Sequence, residues 1–341
     1  MIHSTKTIVA QSVDPYHNLA TEEYLLNNLQ PGECTLYLWQ NAKTIVIGRN
    51  QNVFKECHTE KLLHDGVSIA RRLSGGGCVY HDYGNLNFTF LVCEDDYNVS
   101  RQLSVIIKAL EHFGLCAEET GRNDICIDGR KFSGNAFYMR GGKCYHHGTI
   151  LVNVDLNKMS DYLSVSAEKL NSKGISSVKS RVVNLKELDH GIDVPGVKAS
   201  LINAFGEIYG IKPREVSQGS LDAEMISGLY EKYASSDWIY GTHMKADYVV
   251  SERFAWGEIE FNIKVLAENI IDVRIFSDSM NADISDSLGF RLKGIPFHRN
   301  AVLDAILSIH DESEPEVLKD IYDLFECQEI WQMYPTGFIL T

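Results

Sequence analysis

The chain has 341 residues, 44% of them hydrophobic and 23% charged, which is enough to bury a core in each of two domains. Its 32 Lys+Arg against 46 Asp+Glu give a formal charge of −14, which argues against nucleic acid or an anionic membrane surface as a partner. No run of about eighteen apolar residues is present, so no membrane span is expected. The opening MIHSTKTIVAQS lacks the apolar stretch of a signal peptide and reads as a first strand. Cysteines stand at 34, 57, 78, 93, 116, 126, 144 and 327 with no C-x-x-C pair. That spacing suits neither a zinc site nor a disulfide framework, and reduced thiols in a cytoplasmic protein are expected.

The next segment, DPYHNLATEEYLLNNLQPG, predicts a helix. Asp14 can cap it, Pro15 suits its first position, Leu19, Leu26 and Leu29 share one face, and Pro31–Gly32 end it. CTLYLW and KTIVIG, separated by QNA, predict a hairpin. VSIARR leads into a glycine turn, and CVYHD and NLNFTFLV supply two more strands. Between Val99 and Phe113, Leu103, Ile106, Ile107 and Leu110 repeat at helical spacing, and Gly114 closes the helix. NDICI and KFSGNAFYM flank Asp128–Gly129–Arg130, a turn signal for a second hairpin, and CYHHGTILVNV is another strand. SKGISSVKSRVVN, residues 172–184, is small, polar and basic, and is expected on a loop. Helices near 196–210 and 219–233 complete the first domain, and 241–246 reads as a linker. Beyond it WGEIEFNIKV alternates, with Ile259, Phe261, Ile263 and Val265 on one face. IIDVRIFSD is its partner strand, and three helical patterns follow, predicting a small sheet covered by helices on one face.

Four stretches can carry chemistry, and each has a bland alternative. In RRLSGGGCVYHD three glycines leave main chain uncovered, so a ligand can approach the amides, with Arg71 and Arg72 placed to fork onto phosphate or carboxylate. It can equally be a plain glycine-rich hairpin with two surface arginines. In GRNDICIDGRKFSGNAF, Lys131 follows a tight turn and precedes Ser133 and Gly134, which would let a bulky ligand reach its ammonium, although a lysine beside a turn is ordinarily solvated. Asn123 and Asp124 begin the paired strand and can face the same cavity. His146 and His147 are adjacent, so one faces inward whatever the register, and a satisfied core histidine is the commoner outcome. Lys173, Lys179 and Arg181 form either a basic surface or a lid over an anion. Neither G-x-x-x-x-G-K-[ST] nor a strand-to-helix G-x-G-x-x-G occurs, so ATP, if bound, is held in another way.

Together these stretches resemble the lipoate–protein ligase A family in its long bacterial form. DPYHNLATEEYL, IVIGRNQN, RRLSGGGCVYHD, GRNDI with GRKFSGNAF, HHGTIL and KGISSVKSRVVNL look like its signature blocks, in the same order, and RFAWGEIEF extends the match weakly. The resemblance implies an α+β (two-layer α/β) fold. It implies a large catalytic domain, 1–244, with a mixed sheet flanked by helices, and a small C-terminal α/β accessory domain, 247–341. It implies an enzyme that activates lipoate with ATP as lipoyl-AMP, releasing pyrophosphate, and passes the lipoyl group to a lysine. The acceptors implied are apo lipoyl domains of 2-oxoacid dehydrogenase E2 subunits and glycine-cleavage H protein. By matching position, Lys131 is the catalytic lysine touching both lipoate carboxylate and α-phosphate. Arg72, Gly77, Cys78, Val79, Tyr80, Asn123 and Asp124 join it around the nucleotide. Arg71, Ser74, Gly75, Gly76 and His147 join it around lipoate, and Lys173, Ser180 and Arg181 belong to the covering loop. Mg²⁺ is implied as the companion of ATP; Asp124 could hold it through an oxygen, although an Asp there more commonly caps a turn, and no full ligand set is readable. Cys78 departs from the family, where alanine is commoner.

Two rivals remain open at this level. A transferase of the same superfamily would carry an octanoyl or lipoyl group on a cysteine thioester, for which Cys78 and Cys144 are the candidates. A non-catalytic lipoyl-domain binder would not require the lysine and the glycine loop.

Overall fold

The structure, a computed structural model, describes residues 1–120, 124–164, 181–241, 244–309, 315–328 and 330–331. It divides into two compact units. The first comprises Met1–Ile47, Val53–Arg72 and Cys78–Tyr240, and the second Gly48–Asn52, Leu73–Gly77 and Gly241–Thr341.

The first unit is built on an eight-stranded mixed sheet. Its strands are β1 (Ser4–Val9), β2 (Glu33–Trp39), β6 (Asn85–Cys93), β7 (Glu118–Thr120), β8 (Asp124–Ile127), β9 (Arg130–Arg140), β10 (Lys143–Leu151) and β11 (Arg214–Glu215), in the order β11-β1-β2-β6-β10-β9-β8-β7. β11, β1 and β2 run parallel, and the remaining neighbours are antiparallel. Every residue of β2 is buried, as is β6 up to Val92. Both faces of these strands are covered, which is why they read as unbroken hydrophobic runs. On one face Leu103, Ile106 and Leu110 of the helix Val99–Glu111 share a core with Val197, Leu201 and Phe205 of the helix Val194–Tyr209 and with Phe88 and Phe90. The helix Pro15–Asn27 packs against β6, β10 and the helix Ala223–Ala234. Asp14 caps it by accepting from the amides of Tyr16 and His17, and Pro15 opens it, as its sequence predicts.

A second, three-stranded sheet runs β4 (Ser68–Arg71), β3 (Thr44–Ile47), β5 (Val79–His81). The hairpin predicted between CTLYLW and KTIVIG does not form. β2 is already flanked by β1 and β6, so the chain after Trp39 leaves for the other sheet. Nor do the strands on either side of the glycine run pair with each other. β4 is parallel and β5 antiparallel to β3, which lies between them.

In the second unit β12 (Tyr248–Phe254), β13 (Gly257–Leu266) and β14 (Asn269–Ser277) form an antiparallel sheet, of which β12 was not foreseen. Ile259, Phe261 and Ile263 face a core built with Ile284 and Leu288 of the helix Asp283–Leu292, Val302 of Arg299–Leu307, and Ile321 and Phe325 of Pro315–Glu326. The ladder slips between Lys264 and Val265, and Val265 is only partly buried. Two short early segments join this unit through main-chain bonds: Arg49 N to Ser74 O, Ser277 N to Asn50 O, and Gly76 N to Ser279 O.

Candidate active site

The turn between β8 and β9 places Asp128 and Gly129 at φ 49° and 71°, the left-handed pair that a two-residue hairpin needs. Two residues on, the ladder slips. Cys126 pairs with Lys131 but Ile125 pairs with Ser133, so β9 carries one extra residue at Lys131–Phe132. Such a bulge re-aims a side chain. Lys131 Nζ lies 2.6 Å from Asp124 Oδ1, with both side chains about one-third exposed (34% and 37%). A pair exposed to this degree holds its partners weakly, roughly 0–1 kcal/mol, so Asp124 steers the ammonium without locking it. A Cβ on Gly134 would stand 2.8 Å from Lys131 Nζ and 2.9 Å from Cε, so this glycine leaves the path of the ammonium open. The main chain of Lys131 is tied to the chain that returns after the basic segment. Lys131 bridges Val182 in parallel, and Val183 N donates to Lys131 O at 2.9 Å. Asn123, Lys173 and Ser180 lie outside the described residues; Arg181 is exposed.

The two histidines have different fates. His146 is fully buried, with Nδ1 3.1 Å from Gln102 Oε1 and Nε2 2.8 Å from Asn135 Oδ1. Burial, then the neighbouring His147, push its pKa down to about 3. A neutral ring has one donor for these two amides, so one of them must present its NH₂. Gln102 Nε2 is otherwise a buried donor with no partner among the described residues, and turning that amide lets it donate to His146 Nδ1. His146 is thus a core histidine. His147 is on the other face of β10, its Nδ1 2.9 Å from Glu22 Oε1. Glu22 Oε1 also accepts from Thr89 Oγ1 at 2.7 Å, and Thr89 accepts from Trp39 Nε1 at 3.0 Å. All four are buried. Near them lies His81, driven down to about 3 by burial, then by Arg72 and His147. Asn41 Nδ2 lies 3.1 Å from its Nδ1, leaving the proton on a buried Nε2 that has no hydrogen-bond partner among the described residues.

The adjacent arginines also differ. Arg71 turns its guanidinium onto the carbonyls of Trp238 and Ile239 at 2.6–3.1 Å, while Trp238 Nε1 donates back to Arg71 O, so it braces the helix Ser236–Tyr240. Arg72 is buried and donates to Val46 O at 3.1 Å. Burial lowers its pKa, against the opposing pull of Cys78, Tyr145 and Glu22. Here a buried cation stands in a cluster of polar groups, an arrangement suited to an anion. Cys78 is half-buried ahead of β5, and Val79 and Tyr80 pair with β3. Burial first, then the Cys57 thiol, push the Cys78 thiol well up. Ser74, Gly75, Gly76 and Gly77 belong to the second unit. A Cβ on Gly75 would come within 2.3 Å of the Ser279 carbonyl oxygen there, so glycine at this position is required by packing.

Sequence reasoning did not single out Glu22, Trp39, Thr89 or His81. Glu22 carried a readable signal. It lies three residues after Leu19 and four before Leu26, an acid at the helical spacing of two core leucines.

Residues 14–206 match the family described as Lipoyl protein ligase A/B catalytic domain, and residues 243–325 match Bacterial lipoate protein ligase C-terminus. The chain is 37% identical over 311 residues to a lipoate-protein ligase A of Bdellovibrio bacteriovorus, covering 89% of this chain and 92% of that one. It is 37% identical over 321 residues to one from Psychrobacter cryohalolentis, covering 92% and 94%. Its structure is similar to P. falciparum LipL1 in complex with lipoate, with TM-score 0.84 and 29% identity over 94% of this chain and 98% of the other. It also resembles a lipoate-protein ligase A bound with ATP, with TM-score 0.61 and 25% identity over 71% and 99%. On its sequence, its two matched segments and its fold, the chain belongs to the lipoate–protein ligase A family.

Proposed function

We propose that this protein is an ATP-dependent lipoate–protein ligase, and the observation that carries the reading is the Lys131 ammonium, set by a bulge beside Asp124 with Gly134 leaving its approach open. A carboxylate does not acylate an amine at neutral pH, so it must first become a mixed anhydride. Lipoate and the α-phosphate of ATP are both anions, and a cation between them offsets their repulsion and stabilises charge building on the phosphoryl oxygens as pyrophosphate leaves. Lys131 supplies that cation. An acceptor lysine then attacks the acyl carbonyl and AMP departs. Buried Arg72 and the main chain from Gly77 to Tyr80 serve the nucleotide in this reading. Glu22, Trp39, Thr89, His81 and His147 form the polar surround of the acid, with the spare Nε2–H of His81 as a donor.

Among the described residues no group of three or more His, Cys, Asp or Glu could hold a metal ion. Mg²⁺ would enter with the ATP phosphates, where Asp124 would offer it one oxygen and the ion would supply charge neutralisation. The acceptor is a lipoyl domain, as in the archaeal ligase solved with its E2 lipoyl domain. E2 subunits and glycine-cleavage H protein are the candidates. No helix of the described residues is long and apolar enough to cross a membrane. A reducing cytoplasm suits the eight free cysteines.

Of the two candidates for the thioester alternative, Cys144 is disfavoured by its setting. Cys144 sits fully inside the core of the large sheet, where burial first and then Glu94 and Cys93 push it up to about 12. Its nearest strand histidine on that face, His146, is already engaged by two amides. A thiol so held supplies almost no thiolate at neutral pH. The deciding experiment mixes the enzyme with free lipoate, ATP, Mg²⁺ and an apo lipoyl domain. A mass gain of one lipoyl group on the acceptor, matched by pyrophosphate, is expected. Acyl transfer without ATP, through an enzyme thioester, would replace this reading.

A further inference from the structure

We propose that Cys57 and Cys78 are a redox modification site, closing into a reversible disulfide that weakens nucleotide binding; the second half rests on the reading of residues 77–80 as the nucleotide stretch. The two Sγ atoms lie 3.7 Å apart, already in contact, against about 2.05 Å for a bond. Cys57 is firmly held. Its amide donates to Val53 O, its neighbour His58 donates to Tyr162 O, and its main chain bridges Leu163. Its side chain, only 3% exposed, packs in the apolar cluster with Ile45, Ile47 and Val53. Cys78 is half-buried and stands one residue before β5, so it is outside the strand ladder. The reachable thiol is therefore the one outside the ladder, and the shielded thiol is the anchored one.

The chemistry closes with a peroxide as oxidant. The Cys78 sulfur attacks one oxygen of hydrogen peroxide, the O–O bond breaks, and a sulfenic acid forms as hydroxide leaves and takes a proton. The Cys57 sulfur then attacks the sulfenic sulfur, the S–O bond breaks, and the second oxygen leaves as water. Two thiols and one peroxide become one disulfide and two waters. Forming the bond closes most of the difference between 3.7 Å and a bond length, and with Cys57 anchored the shift falls on Cys78 and the adjoining Gly77, ahead of the ladder that holds Val79 and Tyr80. The high pKa of the Cys78 thiol makes the first step slow at neutral pH, so the site answers sustained oxidation and reacts faster as pH rises.

The test treats the full chain with hydrogen peroxide, blocks remaining thiols with N-ethylmaleimide, and maps non-reduced peptides by mass. ATP binding is titrated on reduced, oxidised and dithiothreitol-treated enzyme. A peptide pair joined through Cys57 and Cys78, lighter by two hydrogen atoms, is expected, with ATP affinity down about tenfold or more and restored by dithiothreitol. Cys57→Ala should lose the joined peptide and the reversibility, because sulfenic Cys78 then has no partner thiol and oxidises onward. Alkylation of both thiols in oxidised, folded wild type overturns the proposal, as does a joined peptide with unchanged ATP affinity. Failure of the ligase reading registers separately, as absence of lipoate-dependent pyrophosphate release in the reduced enzyme.

Discussion

Gly134→Ala isolates the lysine from the fold. The added methyl would stand 2.8 Å from Lys131 Nζ and 2.9 Å from Cε, where ordinary contact begins at 3.4–4 Å, so the ammonium must retreat by about 0.6–1.2 Å. The next nearest atom, Thr149 Oγ1 at 3.9 Å, is already at ordinary distance. The obstruction therefore falls on the far end of one flexible side chain and on no main-chain atom. A displacement of about 1 Å at a charge that acts in the transition state costs on the order of 10² in rate, or roughly 2.7 kcal/mol. Alanine in a strand is favoured over glycine by roughly 0.5–1 kcal/mol, so the melting temperature should hold or rise. The assay pairs lipoate-dependent pyrophosphate release with a thermal melt. Gly148→Ala is the contrast, because its methyl would meet the Gly134 carbonyl oxygen at 2.6 Å and Phe88 Cζ at 2.6 Å, and it should lose stability. A folded Gly134→Ala enzyme at the wild-type rate would remove Lys131 from the chemistry. A steep fall in its melting temperature would show that the strand, not the lysine, had been disturbed.

Three further outcomes are expected. Lys131→Ala should cut adenylation by about 10²–10³ while the circular dichroism and melt stay unchanged, since its ion pair is partly exposed and contributes little to folding. Cys144→Ala should keep ligation within about twofold and show no acyl-enzyme by mass spectrometry, because a buried core thiol takes no part. Buried His81 and His146, each held near pKa 3, must take up protons on unfolding at any pH below the unfolded value of about 6.5. Their contribution is complete above that value and is lost as pH falls toward 3, amounting to roughly 2–3 kcal/mol for the pair at pH 5.5. Melting temperatures at pH 7.5 and 5.5 check this, and equal values would mean that the rings are charged or exposed in the folded protein.

Local features were legible in the sequence and long-range pairing was not. Asp14 and Pro15 announce a helix start because the cap and the ring act within one turn, and Asp128–Gly129 announces a hairpin because the left-handed pair is chemically local. CTLYLW and KTIVIG look like neighbours for the same local reason, yet each finds partners far along the chain, and alternation carries no record of which edge is already occupied. Arg71 and Arg72 are indistinguishable as residues. They differ only because one side chain meets two helix-end carbonyls while the other points into a buried polar cluster. The acidic Glu22 on an apolar helix face was a sign that could have been followed to His147 and Thr89.

The lysine block owes its information to the strand as much as to the lysine. Without the extra residue at Lys131–Phe132 the side chain would share a face with Ser133 in strict alternation, and it would not be re-aimed as the bulge re-aims it. The Lys131 carbonyl itself accepts from a chain outside the sheet, Val183 N at 2.9 Å, and the Val183 side chain is fully buried. The end of the basic segment is therefore bonded to the residue whose ammonium sits beside Asp124. A shift of 182–183 displaces the Lys131 main chain, and a shift of Lys131 pulls on the segment that returns there. The described end of that segment, residues 181–183, is thus coupled to the Lys131 main chain through the Val183 N to Lys131 O bond of a parallel bridge, without a relay of side chains.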